Sequence, residues 1–218
     1  MTNAAAVEAI LVLIIITDLL LLGSERFRTC IRIAALQGVV TGLLPVLLHG
    51  AETPVRAGLL AAAGMGLKGV VFPWLLLRIL RESGARREEK PFVGYTLSVM
   101  AGVGAFLFSR WVAGHLTLPA PAAAAGSLII PAGLGTLLIG LFIIVSRRNA
   151  VSQVLGYIVI ENGIYTFGVA LVGEVPMLVE LGVLMDAFVA VFIMGIAAHH
   201  ISREFDHTDV DRLDRLKG

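Results

Sequence analysis

The chain has 218 residues, 57% of them apolar and only 15% charged, with a mean hydropathy of +0.90 and a formal net charge of +1. A soluble domain carries about 25% charged residues, and here long charge-free runs recur from end to end, so the sequence reads as an all-α, polytopic transmembrane bundle in a lipid bilayer. The balanced charge gives no basis for nucleic-acid binding. A single Cys30 excludes a disulfide within the chain and a metal or iron–sulfur site built from this chain's thiolates alone. Five histidines lie apart except for His199-His200, so neither a metal site nor a cofactor is expected. With no phosphate loop and no soluble domain visible, redox or hydrolytic chemistry is assigned to partners.

In chain order, the apolar run Ala9 to Leu22 predicts a first span over about 4–23 that holds Asp18 toward its end. No Lys or Arg precedes Arg26 and Glu8 lies near the start, so this run is read as a retained span rather than a cleaved signal. A second span is expected over about 31–50, a third over about 56–81 with Lys68 inside it, and a fourth over about 92–113. The Pro/Ala-rich connection LTLPAPAAAAG leads to a fifth span, about 126–146. The short turn SRRNA leads to a sixth, about 150–172, and GEVP to a seventh, about 177–200. Each is about 20 residues long, which at 1.5 Å per residue crosses a ~30 Å hydrocarbon core. This divides the chain into an N-terminal membrane segment (1–125), a three-helix membrane segment (126–200) and a polar tail (201–218). Pro45, Pro73 and Pro131 fall within or near the ends of spans. Small-residue clusters (Ala61 to Gly66, Gly102 to Gly104, Gly133 to Gly135) suit close helix contacts.

Loop charge orders the spans. Arg26, Arg28 and Arg32 mark one side, and Arg81, Arg86, Arg87 and Lys90 mark the next but one. Arg147 and Arg148, then Arg203, Arg212, Arg215 and Lys217, complete the series, while the intervening loops hold only Arg56 and Arg110. The basic loops alternate without exception, which predicts an outside N-terminus, a cytoplasmic C-terminus and an odd number of spans. Seven satisfies it.

Three ionisable residues stand deep in these spans: Lys68, Glu161 and Asp186. Counting from the span ends at 1.5 Å per residue brings all three near the membrane midplane. Burying each costs roughly 2.5–3.5 kcal/mol on insertion scales, so each must face a bundle interior, a partner or a water path. Two readings remain: a lateral row of titratable groups that passes protons, or a buried Lys–acid pair that pins helices together. Asp18 and Glu180 lie closer to the interfaces and are expected to be solvated, with Asp18 kept as an auxiliary candidate of the proton path. Tyr157, Asn162 and Tyr165 lie within a turn of Glu161 and are auxiliary candidates, to hydrogen-bond it or simply to pack. Gln37 and Thr41 are polar residues of the second span whose placement the sequence leaves open. His199 and His200 end the seventh span, where they either collect protons or complement the helix dipole.

The stretch LFIIVSRRNAVSQVLGYIVIENG, then VPMLVELGVLMDAFVAVFIMGIAAHHI, and LKGVVFPWLL around Lys68 resemble the membrane component E of hydrogenase-4. The resemblance runs over most of the chain. The last three spans are more distantly similar to the K subunit of respiratory complex I and the C subunit of multisubunit cation/proton antiporters. These have three spans, an RRN turn and one acid in each of the last two. In the K-type pattern the first acid stands one turn earlier, at Ile158, and the second is Glu where this chain has Asp186. What the resemblance implies is a non-catalytic subunit of a group 4 nickel–iron hydrogenase complex in the inner membrane of a prokaryote. It would hold no cofactor, lie among membrane and peripheral subunits that include antiporter-like ones, and place Glu161 and Asp186 on a hydrophilic axis that translocates protons. A structural linker in the membrane arm of a complex-I-like or antiporter assembly is the alternative.

Overall fold

A computed structural model describes residues 2–49, 59, 62, 64–82, 92–116, 128–171 and 195, and among them every regular element is helical. Helix α1 spans Thr2–Gly23 and α2 spans Phe27–His49. A π-helical turn, Leu67–Val71, runs directly into α3, Phe72–Glu82. Helices α4, α5 and α6 span Tyr95–His115, Ile129–Ser146 and Ala150–Leu171. Among the described residues four stretches, Ala4–Gly23, Phe27–Leu48, Tyr95–His115 and Ile129–Ser146, are long and apolar enough to cross a membrane. At 22 residues α6 is about 33 Å long, and it carries Gln153, Glu161 and Asn162. The seventh expected span lies outside the described residues, as does most of the first part of the third.

The turn between α5 and α6 is built from its own sequence. Asn149 stands at the N-cap of α6, and its Oδ1 accepts a hydrogen bond from the Val151 amide at 2.9 Å, satisfying one of the free donors of the first turn. Arg147 folds back over the end of α1, where its Nη2 donates to the Leu22 carbonyl at 3.0 Å and its guanidinium lies 4.6 Å from the Tyr95 ring centre. A cation on a C-terminal carbonyl satisfies an orphan acceptor and complements the helix dipole. Arg148 lies 4.1 Å over the Phe92 ring, whose residue in turn donates its amide to the Ser146 carbonyl at 3.0 Å. The basic turn therefore ties α1, α5, α6 and the entry to α4 together.

Packing follows membrane logic rather than the rules of a soluble core. Helix α4 turns Ser98, Gly102, Ser109 and Ala113 inward, while Leu97, Met100, Leu107, Phe108 and Trp111 face outward. Lipid tails are as apolar as leucine, so close contact between small residues, and not hydrophobic exclusion, holds such a helix in place. Ser98 and Ser109 return their hydroxyls to carbonyls of their own helix, Gly94 and Ala105. The closest pairing is α5 with α6. A Cβ on Gly140 would stand 2.6 Å from the Ile160 amide nitrogen, and one on Gly163 2.5 Å from the Leu137 nitrogen. Both approaches are to backbone, which cannot swing aside. Of the small-residue clusters named from sequence, Gly133 also abuts backbone, at Phe167, Gly102 and Gly135 abut the side chains of Leu22 and Phe106, and Gly66 and Gly104 face open space.

Around this pair, α1 and α2 pack as a hairpin against α5 and α6, α4 lies on α1 and α5, and the π-helical turn with α3 lies on α2. The buried apolar side chains divide into two clusters. One gathers Leu22, Ile31, Phe72, Leu76, Ile143 and Ile158; the other gathers Leu11, Ile14, Leu44, Ile130 and Val169. Along α1, α2, α5 and α6 the break between the clusters is marked by a polar residue: Asp18 in α1, Gln37 in α2, Thr136 in α5, and Glu161 with Asn162 in α6.

Replacing Gly140 or Gly163 with valine is expected to lower the thermal midpoint of the detergent-solubilised protein, by a destabilisation near the upper end of the ~1–3 kcal/mol typical of overpacking. Gly104→Val, facing open space, is expected to leave the midpoint unchanged, and parallel melts of the three variants check the contrast.

Candidate functional site: a buried polar layer

Lys68 reaches the centre of the bundle because of how its segment is wound. Its turn closes with the Phe72 amide bonded to the Leu67 carbonyl five residues back, and Pro73 follows at once. A proline has no amide to give to the preceding turn and crowds the carbonyl four residues behind it, so a widened turn is a natural accommodation. Two glycines make room on either side. A Cβ on Gly38 of α2 would stand 2.8 Å from Lys68 Cβ, and one on Gly69 2.6 Å from Val39. The lysine stem thus lies flat against the α2 backbone and is only 7% exposed.

Its ammonium group meets α6. Lys68 Nζ lies 2.6 Å from Glu161 Oε1, with Glu161 itself 1% exposed. The same nitrogen lies 3.4 Å from Asn162 Oδ1 and 5.3 Å from the centre of the Tyr165 ring, so an ion pair, an amide and an aromatic face share one cation. A buried pair of this kind is held by its additional hydrogen bonds as much as by its Coulomb attraction. Glu161 Oε2 has no hydrogen-bond partner among the described residues.

The polar contacts continue from Asn162. Its Nδ2 donates to Gln37 Oε1 at 3.2 Å, and Gln37 Nε2 donates to Asp18 Oδ1 at 2.7 Å. Thr136 Oγ1 donates to the other carboxyl oxygen, Oδ2, at 2.6 Å. Lys68, Asn162, Gln37, Asp18 and Thr136 therefore form an unbroken chain across four elements, α1, α2, α5 and α6, entered from the π-helical turn. Thr41 and Thr166 flank it, each returning its hydroxyl to a carbonyl of its own helix, those of Gln37 and Asn162.

This geometry corrects one expectation. Asp18, read from sequence as near an interface and solvated, is 0% exposed and held by donors from two other helices. Its position along α1 indicated depth, but the partners that remove it from solvent are 19 and 118 residues away in sequence. Of the other residues singled out, Lys68, Glu161, Asn162 and Tyr165 come together, and Gln37, left open by the sequence, joins them. Tyr157 packs instead against the first apolar cluster. Ile158, the K-type acid position, is buried in that same cluster. Thr136 was missed. The signal was there, since it is the one hydroxyl residue in the run IIPAGLGTLLIGLFIIV. Asp186, Glu180, His199 and His200 lie outside the described residues. Among the described residues, no group of three His, Cys, Asp or Glu side chains gathers as a metal site would require.

Comparison with known proteins supplies a family. Residues 130–218 match the family described as NADH-ubiquinone/plastoquinone oxidoreductase chain 4L. The chain is 32% identical over 210 residues to the uncharacterized protein Rv0085 of Mycobacterium tuberculosis, covering 94% of this chain and 92% of that one. It is 27% identical over 218 residues, the full length of both chains, to hydrogenase-4 component E of Escherichia coli K12 and of Shigella flexneri. No solved structure matches it. The chain belongs to the family of Rv0085 and is a homologue of hydrogenase-4 component E, with a chain 4L domain, the complex I K subunit type, in its C-terminal part.

Proposed function

We propose that this protein is a non-catalytic integral membrane subunit of a hydrogenase complex built like respiratory complex I. In this reading its buried charges take part in proton translocation coupled to electron transfer in other subunits. The observation that carries the proposal is the Lys68–Glu161 ion pair at 2.6 Å, set in a polar layer between two apolar clusters. Charges this costly to bury in a membrane protein line pathways, proton relays and coupling elements far more often than they serve as filler. A cation shared between a carboxylate and an amide gives the layer a group whose surroundings can be rearranged by small movements. Glu161 Oε2, without a hydrogen-bond partner among the described residues, leaves that carboxylate capacity for one further donor.

The full-length likeness to hydrogenase-4 component E supports a place among the subunits of such a complex, and in this reading its neighbours are membrane and peripheral subunits that include antiporter-like ones. It also supports a prokaryotic inner-membrane location. The finer scheme has seven spans, with the N-terminus outside, the C-terminus in the cytoplasm and Asp186 as a second acid on the seventh. It rests on the alternation of basic loops and on the spacing of the apolar runs. The chain holds no cofactor in this scheme, and its partners carry the redox chemistry.

A second reading is favoured by the same ion pair. The pair joins the π-helical turn to α6, so Lys68 and Glu161 can serve as a lock that fixes one segment against another while the protein links neighbouring subunits.

The two readings separate in the intact complex. Glu161→Gln and Asp186→Asn are expected to assemble and to turn over hydrogen while losing most of the coupled proton movement, read with a pH-sensitive dye in sealed vesicles. Normal hydrogen turnover with normal proton movement in both would end the translocation reading. Lys68→Met strands Glu161 in the interior, at a cost of about 3–5 kcal/mol. Reduced accumulation of the assembled complex on native gels is expected for this variant, and unchanged accumulation would show that the pair contributes little to holding the helices.

A further inference from the structure

We infer that Asp18 is a second counter-charge of the Lys68 centre, joined to it by a directional amide relay through Asn162 and Gln37. The assignment deepens the translocation reading and takes its purpose from it.

The hydrogen bonds have a consistent sense. Lys68 donates to Asn162, Asn162 donates to Gln37, and Gln37 donates to Asp18, over 3.4, 3.2 and 2.7 Å. Each amide accepts on its oxygen and donates from its nitrogen, so both dipoles point from the cation to the carboxyl group. Bonds in such a chain polarise one another in a low-dielectric interior, and the ammonium group at its head strengthens the first of them further. The facing groups on Asp18 are Gln37 from α2 and Thr136 from α5; Thr17, its neighbour on α1, spends its hydroxyl on the Ile14 carbonyl. Both Asp18 oxygens thus accept, and the relay is its polar connection toward a cation.

Two carboxyl groups consequently face one lysine, Glu161 by direct contact and Asp18 at the end of two amides. One lysine cannot neutralise both. A change of charge at either carboxyl alters the field on Lys68 and the polarisation of the relay, and so reaches the other carboxyl. The two apolar clusters exclude solvent on both sides of the layer, which leaves this coupling little screened. In functional terms the titratable row begins at Asp18 in the first span rather than at Lys68 in the third.

Infrared difference spectroscopy on the assembled complex in native lipid tests the relay. The Glu161 carboxyl band is identified by its loss in Glu161→Gln. Asp18→Asn and Gln37→Met are each expected to shift that band, although neither residue is among the Glu161 contacts described above. Ser109→Ala, whose hydroxyl bonds only within α4, is expected to leave it in place. An unshifted Glu161 band in Asp18→Asn and in Gln37→Met would overturn the relay. Asp18→Asn keeps the size of the side chain and its capacity to accept from Thr136, so it carries the test if Gln37→Met fails to accumulate. The band is read without transport. Its constancy would remove the relay and leave the translocation reading standing, whereas normal pumping by both Glu161→Gln and Asp186→Asn would remove that reading and leave a band shift intact.

Discussion

An ammonium group and a carboxylate removed from water must either be compensated where they stand or not be there at all. Lys68 and Glu161 meet that condition together, and much of the bundle is arranged so that they can. The lysine needs a route past the α2 backbone, which Gly38 provides, and a turn that presents it toward α6, which the π-helical segment ahead of Pro73 provides. Glu161 needs α6 held firmly, which the glycine contacts with α5 provide. The polar layer then runs on through Asn162 and Gln37 to Asp18, so three ionisable side chains are accommodated by an ion pair and hydrogen bonds rather than by exposure.

The apolar residues are organised by the same constraint. In a soluble protein the two buried clusters would merge into one core. Here a polar plane divides them, and α1, α2, α5 and α6 each contribute a polar residue at the corresponding height. Large side chains of α1 and α4 face outward, and the small inward-facing ones allow the backbones to approach closely. Stability therefore depends on fit at glycine and serine positions, and the interior polar groups add specificity, fixing which helix faces meet. The Arg147 contacts with Leu22 and Tyr95 do the corresponding work at the end of the bundle.

How far the sequence was legible depended on whether the information was local. Helix positions were, because an apolar run of membrane length needs no partner to be recognised; the expected bounds of 126–146 and 150–172 compare with Ile129–Ser146 and Ala150–Leu171. The α5–α6 turn was legible for the same reason, since Asn149 caps the helix that begins beside it. A pairing of Lys68 with an acid was one of two readings drawn from a shared depth, but which acid it meets was left open, for rise per residue gives height and not the face on which a side chain lies. Asp18 was misplaced because its solvation is decided by Gln37 and Thr136, and nothing near Asp18 announces them. The π-helical turn was not anticipated at all: Pro73 signalled a disturbance, but its form depends on the fit of Lys68 and Gly69 against α2.

The central claim is that the Lys68–Glu161 pair carries charge movement and is more than a lock. Comparing Lys68→Met with the double variant Lys68→Met/Glu161→Gln in the intact complex tests this most directly, by the protons moved per hydrogen turned over. If the pair works in translocation, neutralising the stranded acid restores assembly but not proton movement, and the double variant stays uncoupled. Full recovery of proton movement in the assembled double variant would contradict the account, because a neutral pair would then serve as well as a charged one.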